Sequence, residues 1–437
     1  MVVRGPVVAL VLLGLVPAAL WPGRAGVVAA GWLLLVAVLV ALDLLLTPSP
    51  GALTVVRGEV PPVRLGGSSA TELTLTHEGS RRVRGLVQDA WVPSAGADGA
   101  RHVLDLAPGR VQRVRTVLTP TRRGDRPATT VTVRVHGPLG LAGRQRRTAV
   151  AGVVRSLPPF RSRRHLPSRL ARLRQIDGRS AVRTRGQGTE FDSLRDYVDG
   201  DDVRSIDWRA TARRQHTVVR TWQPERDRRV LLVLDTSRTS AARVGDEPRL
   251  DAAMDAALLL AALATRAGDR VDLLAGDRVM RARVGSGAGS AAGSADLLHR
   301  LVTAMAPLEP VLVEADWTRL AGAVNATTRR RALVVLLTPL EPAAVEEGLL
   351  PVLPSLTAHH HVVLASVADP SVAEMAHDLG SVGSVYDAAA AERTGSLRRR
   401  TASALHQLGV DVVDRPPHDL APALADHYLR LKATGRL

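Results

Sequence analysis

The stretch Val230-Leu-Leu-Val-Leu-Asp235-Thr-Ser237-Arg-Thr239 decides the architecture of this chain. Five consecutive apolar residues without a polar alternate suit a strand covered on both faces, the environment of a parallel sheet flanked by helices. Residues 271–274, 278–284, 332–337, 362–367 and 410–413 read as companion strands, and residues 250–267, 342–350 and 420–433 as helices. Strand–helix alternation at this spacing predicts a mostly parallel, doubly wound α/β domain over residues 229–437 with right-handed crossovers. Ligands of such sheets bind beyond the carboxyl ends of the strands. Asp235 stands at that end of the first strand.

Asp235, Ser237 and Thr239 offer one carboxylate and two hydroxyls at alternating positions. Oxygen donors of this kind suit Mg²⁺, a hard cation that prefers octahedral oxygen ligation. The pattern resembles the metal-ion-dependent adhesion site (MIDAS) of von Willebrand factor A (vWA) domains, in which the ion leaves a position for a partner's carboxylate and does no chemistry. The resemblance implies a further ligand from Thr318 in Asp316-Trp-Thr-Arg-Leu320. It also implies a late aspartate after Thr338, where Pro339 stands instead, so the motif is degenerate. The competing reading is that Asp235, Ser237 and Thr239 cap a following helix.

The rest of the chain must be fitted around this domain. Its 437 residues suggest about three units at roughly 150 residues each. Hydrophobic content of 46% is ample for cores, but at 3% aromatics those cores are built from Ala, Val and Leu. The formal net charge is +16, carried by arginine with Lys432 as the only lysine. Such a balance favours anionic partners, nucleic acid or a negative membrane leaflet. The absence of cysteine excludes disulfides, thiolate metal sites and cysteine nucleophiles.

Residues 7–20 and 27–41 are apolar runs, the second continuing past Asp43 to residue 46. With a short Trp-Pro-Gly-Arg-Ala-Gly link they predict a transmembrane helical hairpin over residues 1–46, with Trp21 and Trp32 as interface anchors. A cleaved signal peptide is the alternative for the first run. Two spans would leave both ends on one side, taken as cytoplasmic from the arginines that follow, with the chain a multi-pass protein of the cell membrane. Residues 53–57, 72–76, 82–87, 111–118 and 129–135 alternate with period two and predict a small antiparallel β-sandwich over residues 47–160. Residues 161–185 are arginine-rich and read as a connector or a contact for anionic lipid. A nucleic-acid arm is disfavoured, because neither aromatics nor a recognisable module accompany the charge.

Residues 161–228 form the third segment, this linker followed by Gly186-x-Gly188-x-Glu190-Phe191-x-x-Leu194-Arg195-x-Tyr197-x-x-Gly200-Asp201-Asp202-x-Arg204-x-Ile206-Asp207-Trp208-x-Ala210. This pattern resembles the signature of the DUF58 family. Pro120-Thr-Arg-Arg-Gly124, His136-Gly-Pro-Leu-Gly-Leu141 and Leu157-Pro-Pro-Phe160 are similar to that family's upstream β segment. The resemblance implies a membrane-bound adaptor or assembly factor that works with a MoxR-like AAA+ ATPase in protein assembly or maturation.

Physically, the signature reads as a brace. Arg195 and Arg204 can each grip a carboxylate bidentately, while Ile206 and Trp208 would anchor the segment on the α/β domain. Its carboxylates (Glu190, Asp201, Asp202, Asp207) invite a hydrolase reading, in which one acid is protonated beside an ionised neighbour. Guanidinium groups close to every acid keep them ionised instead, and the expectation is a protein without catalysis of its own. No P-loop is present, and Gly285-Ser-Gly-Ala-Gly289 lies away from the first strand, so nucleotide binding is not expected. Adjacent His359, His360 and His361 point to alternate faces of a strand and do not readily share a metal.

Overall fold

The computed structural model describes residues 2–183, 190–223, 228–285 and 294–437, with side chains left undescribed at 177–193, 221–227 and 286–294. The chain is mixed α/β and divides into two compact units, Met1–Leu157 and Pro158–Leu437.

In the first unit an apolar segment, Pro22–Ala52, contains the 22-residue helix Ala25–Leu46. The segment is 31 residues long and its apolar 18-residue window has a mean hydropathy of 2.6, long and apolar enough to cross a membrane. The helix rises about 33 Å at 1.5 Å per residue, against a hydrocarbon core of about 30 Å. The first apolar run is shorter than expected. It forms Gly5–Leu13 and Leu15–Leu20, broken at Gly14, and does not reach the length of a span. The multi-pass expectation is therefore corrected to one helix of spanning length. Gly14 keeps helical backbone angles, and its lack of a Cβ makes room for the Trp32 ring, which a Cβ would meet at 2.2 Å. Trp32 also donates Nε1–H to the Leu10 carbonyl at 2.8 Å. It is thus a contact between the two limbs and not an interface anchor; Trp21 is exposed.

Both limbs end on the same piece of β structure. Val2–Val3 pairs with Ala142 and Gly143, and Arg4 N–H donates to the Leu141 carbonyl. At the far end of the second limb, buried Asp43 accepts three backbone N–H groups, from Leu139 at 2.7 Å, Leu141 at 2.8 Å and Ala142 at 2.7 Å. The loop His136-Gly-Pro-Leu-Gly-Leu141 is shaped by this carboxylate, since a Cβ on Gly137 would collide with it at 2.2 Å. Removing the acceptor would strand three peptide donors. Asp43→Ala is expected to lower the unfolding free energy of the detergent-solubilised chain by about 2 kcal/mol or more, read by denaturant titration; a loss within about 0.5 kcal/mol, typical of a neutral surface change, would contradict it.

The β structure of the first unit falls into two sheets. A seven-stranded sheet is organised around the 13-residue strand Gly124–His136, which pairs with Ala142–Thr148, Val153–Leu157 and Val83–Trp91. The second sheet orders Leu53–Arg57, Ser69–His77, Val111–Leu118 and Ala97–Asp98. Leu73, Leu75 and Val114 from one sheet meet Val83, Val87, Leu104 and Val133 from the other in a single aliphatic core. One charged pair interrupts it. Arg57 of the smaller sheet holds Asp89 of the larger bidentately, at 2.6 and 3.0 Å, with both side chains almost wholly buried. Trp91 donates its Nε1–H to the same carboxylate at 2.9 Å and lies beneath the guanidinium.

In the second unit six strands order as Met280–Val284, Arg270–Gly276, Arg229–Asp235, Leu333–Leu337, His361–Val367 and Val410–Arg415. All pair in parallel except Met280–Val284. Numbered along the chain the order is 3-2-1-4-5-6, doubly wound, with its switch point beside Arg229–Asp235. Leu231 and Val233 pack with Trp317, Leu320, Leu336 and Leu349 on one face. The other face is covered by Arg249–Arg266, a helix buried nearly all round because Pro417–Ala433 and Leu166–Arg183 pack outside it.

That second covering helix corrects the linker expectation. Residues 161–183 are not a free connector: Arg161–His165 and Leu166–Arg183 dock on the α/β domain. Ser162 donates its N–H and hydroxyl to Asp255, Arg161 pairs with Glu247 at 2.9 Å, and Arg169 pairs with Asp426 at 2.9 Å. Burial pushes the Asp255 and Glu247 carboxyls upward, against the pull of these partners.

Candidate functional site

Two places carry the acids that the sequence singles out. The first is the signature segment. Glu190–Asp196 pairs antiparallel with Val218–Gln223, and the chain between them turns at Gly200, whose φ of 104° is available to glycine at no steric cost. Asp207 begins the helix Trp208–Arg214. One of its oxygens accepts the N–H groups of Arg209 and Ala210, both at 3.0 Å, and the other takes Arg220 at 2.8 Å. Asp201 accepts Arg195 at 2.6 Å and the Val198 N–H at 3.0 Å. Asp202 caps the short turn Val203–Ser205 through the Arg204 N–H.

These contacts hold Asp201 and Asp207 ionised. The Ala210 N–H and the Arg220 guanidinium hold Asp207 below the usual carboxylate range, and Arg195 does the same for Asp201. Neither is poised to donate a proton near neutrality. The contacts within the segment differ from those expected. Among the described residues the clasps are Arg195 with Asp201 and Arg220 with Asp207, while Arg204 contributes its amide. Trp208 does not anchor the segment on the sheet; it is 69% exposed, as are Val198 and Val203 at just over 60%. Val218 and Val219 are the buried residues that hold the segment, with Ile206 bridging to Val219. Tyr197 is half-buried and continues the ladder through its N–H to Thr217. The side chain of Glu190 lies outside the described residues.

The second place is the rim at the switch point. Asp235, Ser237, Thr239 and Thr338 are all buried or nearly so. The Asp235 carboxylate accepts the Ser237 N–H at 2.8 Å, the Thr239 hydroxyl at 3.1 Å and the Thr338 hydroxyl at 2.7 Å. Ser237 and Thr239 hydroxyls lie 3.1 Å apart. Burial pushes the Asp235 carboxyl up, and the hydrogen bonds from Ser237, Thr338 and Thr239 offset that only in part. Among the described residues no basic side chain pairs with it. A buried carboxylate served by neutral donors alone is expensive to ionise, and a cation is the natural complement.

Helix capping is not its role. Ser237 makes no side-chain cap, and the chain continues as a short 3-10 turn, Arg238–Ala241, before the helix begins at Arg249. The expected Thr318 is exposed in the helix Trp317–Thr327 and does not line the pocket. The preceding loop supplies Glu314 instead. Val311 N–H to the Thr236 carbonyl and Arg238 N–H to the Val313 carbonyl, both 2.8 Å, fold it over the rim, and Arg238 grips Glu314 at 2.6 and 2.8 Å. A pocket of about 210 Å³ results, bounded by Asp235, Ser237, Thr239, Glu314, Thr338 and Glu347.

Thr338 marks only a landmark in the sequence, yet its hydroxyl makes the shortest side-chain contact to Asp235; Pro339 follows it where an aspartate is expected. Behind the rim, buried Asp277 accepts Thr236 at 2.8 Å and Arg281 at 2.8 and 3.1 Å. Burial raises its carboxyl, but Arg281, Thr236 and the Val279 N–H outweigh that and leave it lowered. The two neighbouring aspartates therefore differ: Asp277 has a resident cation and Asp235 does not.

Residues 193–403 match the family model described as "Protein of unknown function DUF58". Uncharacterized proteins of Mycobacterium tuberculosis and Mycobacterium bovis are 30% identical over 202 residues, 45% of this chain and 60% of theirs. The match thus spans about three-fifths of the curated relatives' length. Among solved structures, a PapD-like domain of human CEP192 aligns over 25% of this chain and 89% of its own, at 18% identity and a TM-score of 0.18. An exo-β-N-acetylglucosaminidase from Vibrio harveyi aligns over 83% and 75%, at 10% identity and 0.21. Scores this low carry no argument about fold or activity.

Proposed function

We propose that this chain is a membrane-anchored, non-catalytic interaction protein that grips a partner through a cation held at the Asp235 rim. The observation that carries the reading is the buried Asp235 carboxylate at the sheet's switch point, surrounded by hydroxyls and by no cation of the protein's own among the described residues. The domain is read as vWA-like, in keeping with the doubly wound strand order and the Asp-x-Ser-x-Thr run.

The donors are oxygens alone, which fits Mg²⁺ better than a softer metal. Asp235, Ser237 and Thr239 would hold the ion, with Thr338 supporting the carboxylate; the ion would supply a Lewis-acidic point for an anionic group. One carboxylate leaves a divalent ion with net positive charge, which suits a partner's carboxylate. The signature segment, stiffened by its clasps and showing Val198, Val203 and Trp208 to solvent, offers a second apolar contact. Absence of catalysis is supported by the lowered Asp201 and Asp207 carboxyls, which suit no general acid.

The anchor is read as an apolar hairpin of which only the second limb has spanning length, with the bulk of the chain on the cytoplasmic side of the cell membrane. Its support is that Val2–Val3 and Asp43 are tied to the same strand and loop. The partner is assigned as a MoxR-like AAA+ ATPase, in keeping with the family resemblance.

The test is retention of such an ATPase on the immobilised full chain in Mg²⁺–ATP buffer, compared with Asp235→Ala in the same buffer so that the nucleotide's own need for Mg²⁺ cancels. Retention by the wild type and a drop of about tenfold in the variant, the loss of one charged contact, is expected. No retention by the wild type, or equal retention by both, contradicts the reading.

A further inference from the structure

A second cluster lies at the opposite end of the same sheet. His361 opens the strand His361–Val367, and Asp411 lies in the neighbouring strand Val410–Arg415, in register with Val363. Residues two apart on a strand share a face, so His361 and Asp411 meet there. The closing helix Pro417–Ala433 brings His427 onto them. One oxygen, Asp411 Oδ2, lies 2.9 Å from His361 Nε2 and 3.1 Å from His427 Nε2. All three ligand atoms lie within 4.8 Å of one another. The histidines are nearly buried, while Asp411 is 28% exposed and gives access from solvent.

We propose that His361, Asp411 and His427 form a site for a divalent transition metal of the Zn²⁺ class, distinct from the oxygen-rich Asp235 rim. Two imidazole nitrogens and one carboxylate oxygen suit Zn²⁺ and disfavour Mg²⁺. Ligands of a tetrahedral Zn²⁺ at about 2.0–2.1 Å stand roughly 3.3 Å apart. The two observed separations need to open by only a few tenths of an ångström. Each neutral ring moves its remaining proton to Nδ1 when Nε2 takes the metal, so no external co-reactant is needed.

One contact opposes loading. Arg430 Nη2 lies 3.1 Å from His427 Nδ1, and its donor must turn away once that nitrogen carries a proton. Arg430 is exposed and free to swing out, but its charge, and that of Arg436 near Asp411, weakens the site. A bound ion would fasten the last strand and the closing helix to the sheet, joining residues separated by 50 and 16 positions. The fourth position stays open to water.

The test uses the full chain in detergent, titrated with Zn²⁺ and with Co²⁺, whose visible absorption reports nitrogen and oxygen ligation. Wild type should show a thermal shift with Zn²⁺, a Co²⁺ band that Zn²⁺ displaces, and no such band competition by Mg²⁺. His361→Gln with His427→Gln should weaken binding by at least about 100-fold, since loss of outer-shell partners alone reaches that size. Arg430→Gln should tighten it by about fivefold, the repulsion of one nearby charge. Asp235→Asn should leave it unchanged. No Co²⁺ band in the wild type, or an undiminished one in the double variant, overturns the proposal. Should the double variant fail to fold, unchanged or weaker binding by Arg430→Gln overturns it instead.

Discussion

Asp89→Ala is expected to destabilise the sandwich by about 3–5 kcal/mol, the usual effect of removing one member of a buried ion pair. The variant leaves the Arg57 guanidinium charged and enclosed between two sheets, with its Trp91 neighbour deprived of an acceptor. The loss is one of uncompensated charge and not of packing volume, which gives the prediction a second arm. Arg57→Met combined with Asp89→Leu removes both charges and should recover most of the stability. Denaturant titration of the full chain reads both. A single variant within about 1 kcal/mol of wild type, or a double variant no better than the single, would show that the pair does not carry this weight.

The second large effect concerns Asp235 and changes sign with the ion. Burial raises this carboxyl's folded-state pKa above its ordinary value near 4. Its contribution to stability is therefore fully present below that ordinary value and is lost as pH rises toward the folded-state value. Metal-free wild type at pH 7 carries a penalty that Asp235→Asn, similar in shape and uncharged, lacks. In chelator the variant should melt above the wild type. At Mg²⁺ one hundred times its Kd the wild type should gain about 2.7 kcal/mol, or about 5–10 °C for a unit of this size, and overtake the variant. The order of melting temperatures inverts. A variant that melts below wild type by the same margin in chelator and in Mg²⁺ would mark Asp235 as a packing residue only.

The parts of this protein that were readable in advance are those whose signal is local. The five apolar residues before Asp235 become the central strand of the six-stranded sheet, and the alternation of residues 129–135 lies within the longest strand of the sandwich. Elements without such a pattern escape. Ala142–Thr148 is largely polar, and Val382–Gln407 buries only Ala388, Ala391, Thr401 and Leu405 of its 26 residues, too few to leave a helical stripe. The first apolar limb fails as a span because Gly5–Leu20 is too short.

Site residues follow the same division. Asp235, Ser237 and Thr239 are neighbours in sequence and in space, whereas Thr318 falls on the outer side of its helix and Glu314 occupies the pocket. Arg57 with Asp89, and His361 with Asp411 and His427, are joined only by tertiary pairing across dozens of residues. No spacing rule reaches them. Asp43 reads as an apolar helix's blemish until the loop at residues 136–142 is seen to close on it.

Calorimetric titration of the detergent-solubilised chain with Mg²⁺ bears most directly on the idea of a cation-dependent grip. A saturable heat with one ion per chain is expected, absent in Asp235→Asn and retained in the His361→Gln, His427→Gln variant. No heat in the wild type, or the same heat after Asp235→Asn, would leave the rim without its ion and the account without its centre.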